Sequence, residues 1–196
     1  MAAFILASQS PRRKQLLEWA ELPFTVIVSD TDESYPASLP IAEVPAYIAK
    51  HKALAVQASV QLKEGSTSHP CIIAADTVVV HNQTILGKPI DRADAIASLT
   101  QLAGNTHEVI TGVCILYAGQ TICFSETTKV SFHPLTPSQI EFYVDAYKPY
   151  DKAGAYAIQE WIGVVGIERI EGDFYNVMGL PVSRLVQKIK QLGLID

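Results

Sequence analysis

The run Cys71-Ile-Ile-Ala-Ala-Asp-Thr-Val-Val-Val-His81 is the most β-rich stretch of the chain, and the residues on either side of Asp76 leave it no polar face. A strand that buries on both sides belongs inside a sheet covered by other elements. Elsewhere the hydrophobic period shifts several times between two and three-to-four residues, the pattern of α/β alternation. The expected architecture is therefore a mixed β-sheet with helices packed around it. At 196 residues the chain makes one domain of ordinary size or two tightly fused lobes, with core enough to need no disulfide or structural metal.

Local signals place the elements. Phe4 to Ala7 reads as a short buried strand. Ser10 caps a helix with Pro11 at its first position, running to about Ala20. Phe24 to Val28 is a second strand, followed by the acidic loop Asp30-Thr-Asp-Glu33. Pro45 opens a longer helix through Val60, and Lys63 to Pro70 is an exposed turn. Cys71 to His81 pairs as a hairpin with Thr84 to Leu86, and Asp91 caps a helix ending at Gly104. His107 to Tyr117 and Thr121 to Phe132 form a long antiparallel pair joined at Ala118-Gly119-Gln120. Thr136-Pro-Ser-Gln139 has capping-box spacing for a helix to Tyr147. A glycine-rich segment with two further short strands precedes a closing helix over Pro181 to Leu192.

Charge narrows the function classes. Fifteen basic and 20 acidic residues leave a net charge of −5, the wrong sign for a non-specific DNA or RNA binder. No apolar run reaches the ~18 residues of a membrane span, and the apolar opening Met1 to Ala7 lacks the flanks of a secretion signal. The expectation is a cytoplasmic protein with no nucleic-acid or membrane partner. The three cysteines, Cys71, Cys114 and Cys123, form no CxxC or metal spacing and read as reduced thiols. The five histidines show no ligand spacing.

Two places break the local rules. In Ser8-Gln-Ser10-Pro-Arg12-Arg13-Lys14 three cations crowd the first turn of a helix, where the macrodipole is already positive and each costs roughly 0.3–1 kcal/mol. Free backbone N–H groups, two hydroxyls and two arginines there suit an anion such as phosphate; a solvated basic turn neutralised by Glu18 or the acidic loop is the alternative. Asp76 is the second place. A carboxylate inside so apolar a strand needs a cation or a metal, so it is either a metal ligand or general base, or a structural residue paired with a buried arginine or capping a turn. Thr77 points to the opposite face of a regular strand. Lys50 and Lys52 on the second helix, Lys88 between Gly87 and Pro89, and Glu33 at the end of the acidic loop add charge. Lys152 and Gln159 offer polar groups within a small-residue segment, Tyr150 to Gln159. No P-loop, dinucleotide fingerprint, HExxH or GxSxG pattern occurs.

Taken together, Leu6-Ala-Ser-Gln-Ser-Pro-Arg-Arg13, Ala74-Ala-Asp-Thr-Val-Val79, Gly87-Lys-Pro89, His107-Glu-Val-Ile-Thr-Gly-Val113, Asp151-Lys-Ala-Gly-Ala-Tyr156 and Gly172-Asp-Phe-Tyr-Asn-Val-Met-Gly-Leu-Pro181 resemble the Maf family of nucleoside triphosphate pyrophosphatases. The motifs span nearly the whole chain, which is read as a single domain over residues 1–196. The resemblance implies a fold like that of the inosine triphosphate pyrophosphatases, with two lobes of a mixed sheet around a cleft. It implies hydrolysis of a nucleoside triphosphate to monophosphate and pyrophosphate, a divalent cation (Mg, Mn or Co) as cofactor, a homodimer, and an association with division arrest and septum inhibition.

Residue by residue, Asp76 matches the proton acceptor, and Arg12, Thr77 and Gln159 match the positions that separate subfamilies, here in the form that resembles dTTP/UTP pyrophosphatases. Ser8, Arg13, Glu33, Lys52 and Lys88 match polar positions lining the cleft. Ser8, Ser10, Arg13, Lys52 and Lys88 are the expected phosphate contacts, and Glu33 with Asp76 the expected metal ligands. The alternatives are a 7-methyl-GTP or broad-specificity pyrophosphatase, and a nucleotide-binding inhibitor of septum formation that does not turn over.

Overall fold

A computed structural model describes residues 3–64 and 70–196. The expected turn over 63–70 lies mostly outside the described residues; its first two residues continue a helix. Among the described residues seven strands form one mixed sheet: β1 (Phe4–Leu6), β2 (Phe24–Val26), β3 (Cys71–His81), β4 (Thr84–Leu86), β5 (Thr106–Tyr117), β6 (Gln120–Phe132) and β7 (Ile167–Glu171). Their order is β2-β1-β3-β5-β6-β7, with β4 added to β3. The β1 strand pairs in parallel with both β2 and β3, whereas β3–β4 and β6–β7 are antiparallel. The helices are α1 (Pro11–Trp19), α2 (Val44–Glu64), α3 (Arg92–Leu102), α4 (Pro137–Tyr147), α5 (Trp161–Gly166), α6 (Phe174–Met178) and α7 (Val182–Gln191). Among the described residues no helix is long and apolar enough to cross a membrane.

The chain divides into two units, each assembled from separated segments: residues 1–76, 111–126 and 179–196 in the first, and 77–110 with 127–178 in the second. The core of the first unit follows from two periods meeting. Alternate residues of three strand segments, Ile5 and Ala7, Ile72 and Ala74, Cys114 and Leu116, present one apolar face. Against it α2 lays Ala49, Ala53, Val56 and Val60, three to four residues apart on one helical stripe. Each large aliphatic side chain buried this way contributes roughly 1.5–3 kcal/mol. Small residues on α2 allow a close approach, and Gly112 in β5 carries it further: a Cβ there would lie 2.0 Å from the Ala46 backbone nitrogen.

In the second unit both predicted caps form. The Asp91 side chain accepts from the Asp94 N–H at the start of α3. Thr136 and Gln139 exchange bonds in a complete capping box at α4. One expectation fails here. The segment after α4 holds a single strand, β7, rather than two; the rest is a 3-10 turn (Ala153–Ala155) and the short helices α5 and α6. The Glu160 carbonyl accepts from both the Gly163 and Val164 N–H groups, closing a helical turn in a stretch whose valines and isoleucine favour a strand. That local bonding overrides propensity.

A buried aromatic group closes this unit. His107 Nε2 shares a 2.8 Å hydrogen bond with the Tyr156 hydroxyl, and Phe132 meets both rings at centroid distances of 5.5 and 5.2 Å. Burial, helped by the neighbouring charge of His81, holds the His107 pKa down at about 3. The unfolded chain takes up a proton near pH ~6.5 that the folded one refuses, so this contribution to stability is complete above that pH and declines toward about pH 3.

Two stability measurements follow. Gly112→Ala is expected to cost about 2–3 kcal/mol or more in urea denaturation, since backbone atoms must move to admit the methyl group. Between pH ~6.5 and pH ~4, His107→Gln is expected to flatten the acid-side loss of stability, which in the native chain reaches at most about 1.4 kcal/mol per pH unit from this residue. Equal acid slopes in the two proteins would contradict the assignment.

Candidate functional site

In parallel α/β sheets, chemistry gathers beyond the carboxyl ends of the strands. In the first unit the carboxyl end of β1 leads to Ser8 and α1, and the chain beyond β2 leads to Glu33. The β3 strand pairs with β1 only as far as Ile73 and runs on to Asp76. Seven of the ten residues singled out in the sequence therefore fall in this unit: Ser8, Ser10, Arg12, Arg13, Glu33, Lys52 and Asp76.

Its centre is Lys52. The ammonium lies 2.7 Å from Asp76 Oδ1 and 2.7 Å from Glu33 Oε1, so α2, β3 and the acidic loop converge on one point. Both Lys52 and Asp76 are largely shielded, with side chains 17% and 14% exposed, whereas Glu33 is half open to solvent. Asp76 and Thr77 are the only half-buried residues between Cys71 and Val80, all the others being buried. Asp76 Oδ2 takes no hydrogen bond among the described residues, leaving one carboxylate oxygen for chemistry. Asp76 is ion-paired with a lysine at the edge of solvent, and its charge also acts on the buried Arg13 guanidinium.

Arg13 is buried beneath this cluster. Its Nε donates to the Gly179 carbonyl at 2.7 Å, and Nη1 donates to the Ala75 carbonyl at 2.8 Å and to Ser8 Oγ at 3.1 Å. Burial lowers its pKa and the neighbouring Arg12 adds to that, while Asp76 and Glu33 oppose the shift. Ser10 performs the predicted cap, accepting from the Arg13 N–H at 3.4 Å, and Ser8 Oγ also accepts from the Ser10 N–H at 3.3 Å. Arg12 is half-buried beside them.

Thr77, Lys88 and Gln159 belong to the second unit. Lys88 and Gln159 are exposed and Thr77 is half-buried. The Gly154 N–H donates to the Gly87 carbonyl at 3.0 Å, tying the Lys88 turn to the segment that leads into Gln159. Buried Lys152 reaches Asp151 Oδ1 at 2.7 Å and Glu160 Oε1 at 3.4 Å. The Tyr143 hydroxyl donates a short hydrogen bond to Glu160 Oε2 and accepts from the Ala157 N–H at 3.2 Å. Gln159 thus stands between two anchored neighbours. Tyr143 and Glu160 escaped the sequence reading because they sit 17 residues apart on different elements; the Tyr at a core position of a helix was the one available hint.

The donor set bears on a metal. Among the described residues no group of three or more His, Cys, Asp or Glu side chains could hold an ion. Glu33 and Asp76 do bring one oxygen each to a single cationic position, now held by Lys52. Two carboxylates suffice for magnesium when substrate phosphates and waters complete its shell, so these residues fit a cation that arrives with a phosphorylated ligand.

A family model described as Maf-like protein matches residues 3–192. The chain belongs to the Maf family. Among Maf relatives, the dTTP/UTP pyrophosphatase of Cytophaga hutchinsonii is 47% identical over 188 residues, covering 96% of this chain and 83% of that protein. The dTTP/UTP pyrophosphatase of Porphyromonas gingivalis is 46% identical over 190 residues, covering 96% and 94%, and that of Parabacteroides distasonis 47% over 187 residues, covering 95% and 94%. The structure of the Staphylococcus aureus Ham1 protein aligns with 66% of this chain and 71% of its own at 14% identity and a TM-score of 0.44, too loose a likeness to carry an argument.

Arg13→Met is expected to lower stability by about 3 kcal/mol or more, because two backbone carbonyls and the Ser8 hydroxyl lose their donors. Lys14→Met, one residue on, removes only an exposed ion pair to Glu18 and should change stability by less than about 0.5 kcal/mol. Comparable losses in urea titrations of the two variants would contradict the structural role given to Arg13.

Proposed function

We propose that this Maf chain is a nucleoside triphosphate pyrophosphatase that hydrolyses dTTP and UTP to the monophosphate and pyrophosphate. The observation that carries the proposal is the near full-length match, at 46–47% identity, to proteins named dTTP/UTP pyrophosphatase. The convergence of Lys52, Glu33 and Asp76 beyond the parallel strands supports it. The reading treats residues 1–196 as one catalytic domain, acting in the cytoplasm as a homodimer, with modified pyrimidine nucleotides as further substrates and a role in pool cleaning and division arrest.

In this reading Asp76 accepts the proton of a water that attacks the α-phosphorus in line, and the bond between the α-phosphorus and the bridging oxygen breaks to release pyrophosphate. Lys52, ion-paired with Asp76, meets the incoming phosphates. Ser8, Ser10 and Lys88 contact the phosphates, and Arg13, its Nε and Nη1 already engaged, adds positive charge behind them. Glu33 and Asp76 would hold the divalent cation, magnesium, manganese or cobalt, which when bound neutralises charge on the departing pyrophosphate.

Arg12, Thr77 and Gln159 set base choice. Uracil and thymine present carbonyl, N–H, carbonyl along one edge. The Gln159 amide accepts from the ring N–H while donating to a carbonyl, and Arg12 donates to the other. Cytosine reverses part of that edge and leaves these hydrogen-bonding groups unpaired.

A nucleotide panel scored by pyrophosphate release tests the proposal, run with magnesium, manganese and cobalt. The expected result is turnover of dTTP and UTP at least about tenfold above CTP, GTP and 7-methyl-GTP. Asp76→Asn should lose roughly 10²–10⁴-fold in kcat while staying folded. Equal turnover of all nucleotides, or near-native activity in the variant, overturns the specificity or the base respectively.

A further inference from the structure

The hairpin of β5 and β6 turns through Ala118 and Gly119, both at positive φ (46° and 79°), the geometry of a two-residue type I′ turn. Counting outward from Tyr117 and Gln120 sets Cys114 directly opposite Cys123. Alternation from the turn makes this a non-hydrogen-bonded pair, where the two backbones run closest, with Cα atoms about 4.5 Å apart. That spacing lies in the range a disulfide needs. The side chains follow it: the two Sγ atoms are 2.7 Å apart, and both thiols are free. Closing the bond, about 2.05 Å long, asks for well under about 1 Å of movement.

The two thiols are also chemically unequal. Cys114 is fully buried in the core cluster that α2 covers, while Cys123 is open to solvent. The contact with Cys123 and then burial push the Cys114 thiol up, so it keeps its proton. The same contact, with the Lys50 ammonium, holds Cys123 below the usual thiol range. An exposed thiol that ionises readily, with a second thiol in contact behind it, is the arrangement of an attacking and a resolving cysteine. Cys71 has no such setting; burial pushes it up to about 12.

We infer that Cys114 and Cys123 form a reversible oxidation site, closing to a cross-strand disulfide when the chain meets a hydroperoxide. The Cys123 thiolate attacks one peroxide oxygen, forming an S–O bond and a sulfenic acid as the O–O bond breaks; in hydrogen peroxide the leaving hydroxide takes up from solvent the proton that the thiol had released and departs as water. The Cys114 sulfur then displaces that hydroxyl as a second water, its proton leaving with it, and the S–S bond forms. The pair loses two electrons in all, both taken by the peroxide. Because the ring closes within one hairpin, folding is retained and a dithiol reverses the reaction.

The test exposes the full-length reduced protein to hydrogen peroxide and counts thiols after denaturation. Of the three cysteines, two should be lost in wild type and recovered with dithiothreitol, with a loss of two hydrogens in intact mass. No Lys or Arg lies between Arg92 and Lys129, so trypsin leaves both cysteines in one peptide; a further chymotryptic cut at Tyr117 yields two fragments joined only through sulfur. Cys114→Ser should instead trap Cys123 as a sulfenic acid reactive to dimedone, and Cys123→Ser should keep both remaining thiols. Three surviving thiols in wild type, sulfinic acid on Cys123 with Cys114 free, or a bond to Cys71 or to a second copy of the chain would each overturn the inference.

Discussion

Beneath the carboxyl end of β1 and the middle of β3 a guanidinium has been taken out of water and given carbonyl and hydroxyl partners in exchange. Arg13 bonds to the backbone that carries Asp76, to the serine that follows β1, and to Gly179 at the start of the last segment of its unit. Three stretches of chain far apart in sequence are thereby referenced to one rigid planar group. The cations at the start of α1, unfavourable against the helix dipole when viewed locally, are explained by what Arg13 joins and by the two carboxylates nearby. The Lys52 cluster inherits its position from this arrangement, since Ala75 is the residue before Asp76.

The second unit solves a similar problem with different chemistry. There a tyrosine hydroxyl, a lysine and two carboxylates fix the backbone on either side of exposed Gln159. If Gln159 selects the base as proposed, it gains from a backbone that does not wander, because hydrogen-bond selection fails when either partner can shift to suit the wrong one. Tyr143 and Glu160 touch no base in this reading; they hold still the residue that does.

Legibility in the sequence followed the range of the interactions. The β3 strand could be bounded at Cys71 and His81 because its signal is a local apolar run, and the α4 capping box because its partners are three residues apart. The α5 helix could not, since its valines vote for a strand and only the Glu160 carbonyl decides otherwise. Asp76 stood out as a charge needing a partner, but its partner lies 24 residues away on another element, and Lys52 was one of several lysines with nothing local to separate them. The same limit hid the contact of Cys114 with Cys123: composition offers no CxxC, and only the turn at Ala118-Gly119 sets them opposite each other.

The segmented make-up of the first unit bears on how the protein emerges from the ribosome. Residues 1–76 lack the Gly179 carbonyl and all of α7 until the segment from Gly179 onward is translated. Up to that moment the Arg13 guanidinium has no acceptor from the closing segment, and the nascent polypeptide waits with its first unit incomplete. Completion of the unit therefore waits on Gly179, whose carbonyl meets an arginine synthesised 166 residues earlier.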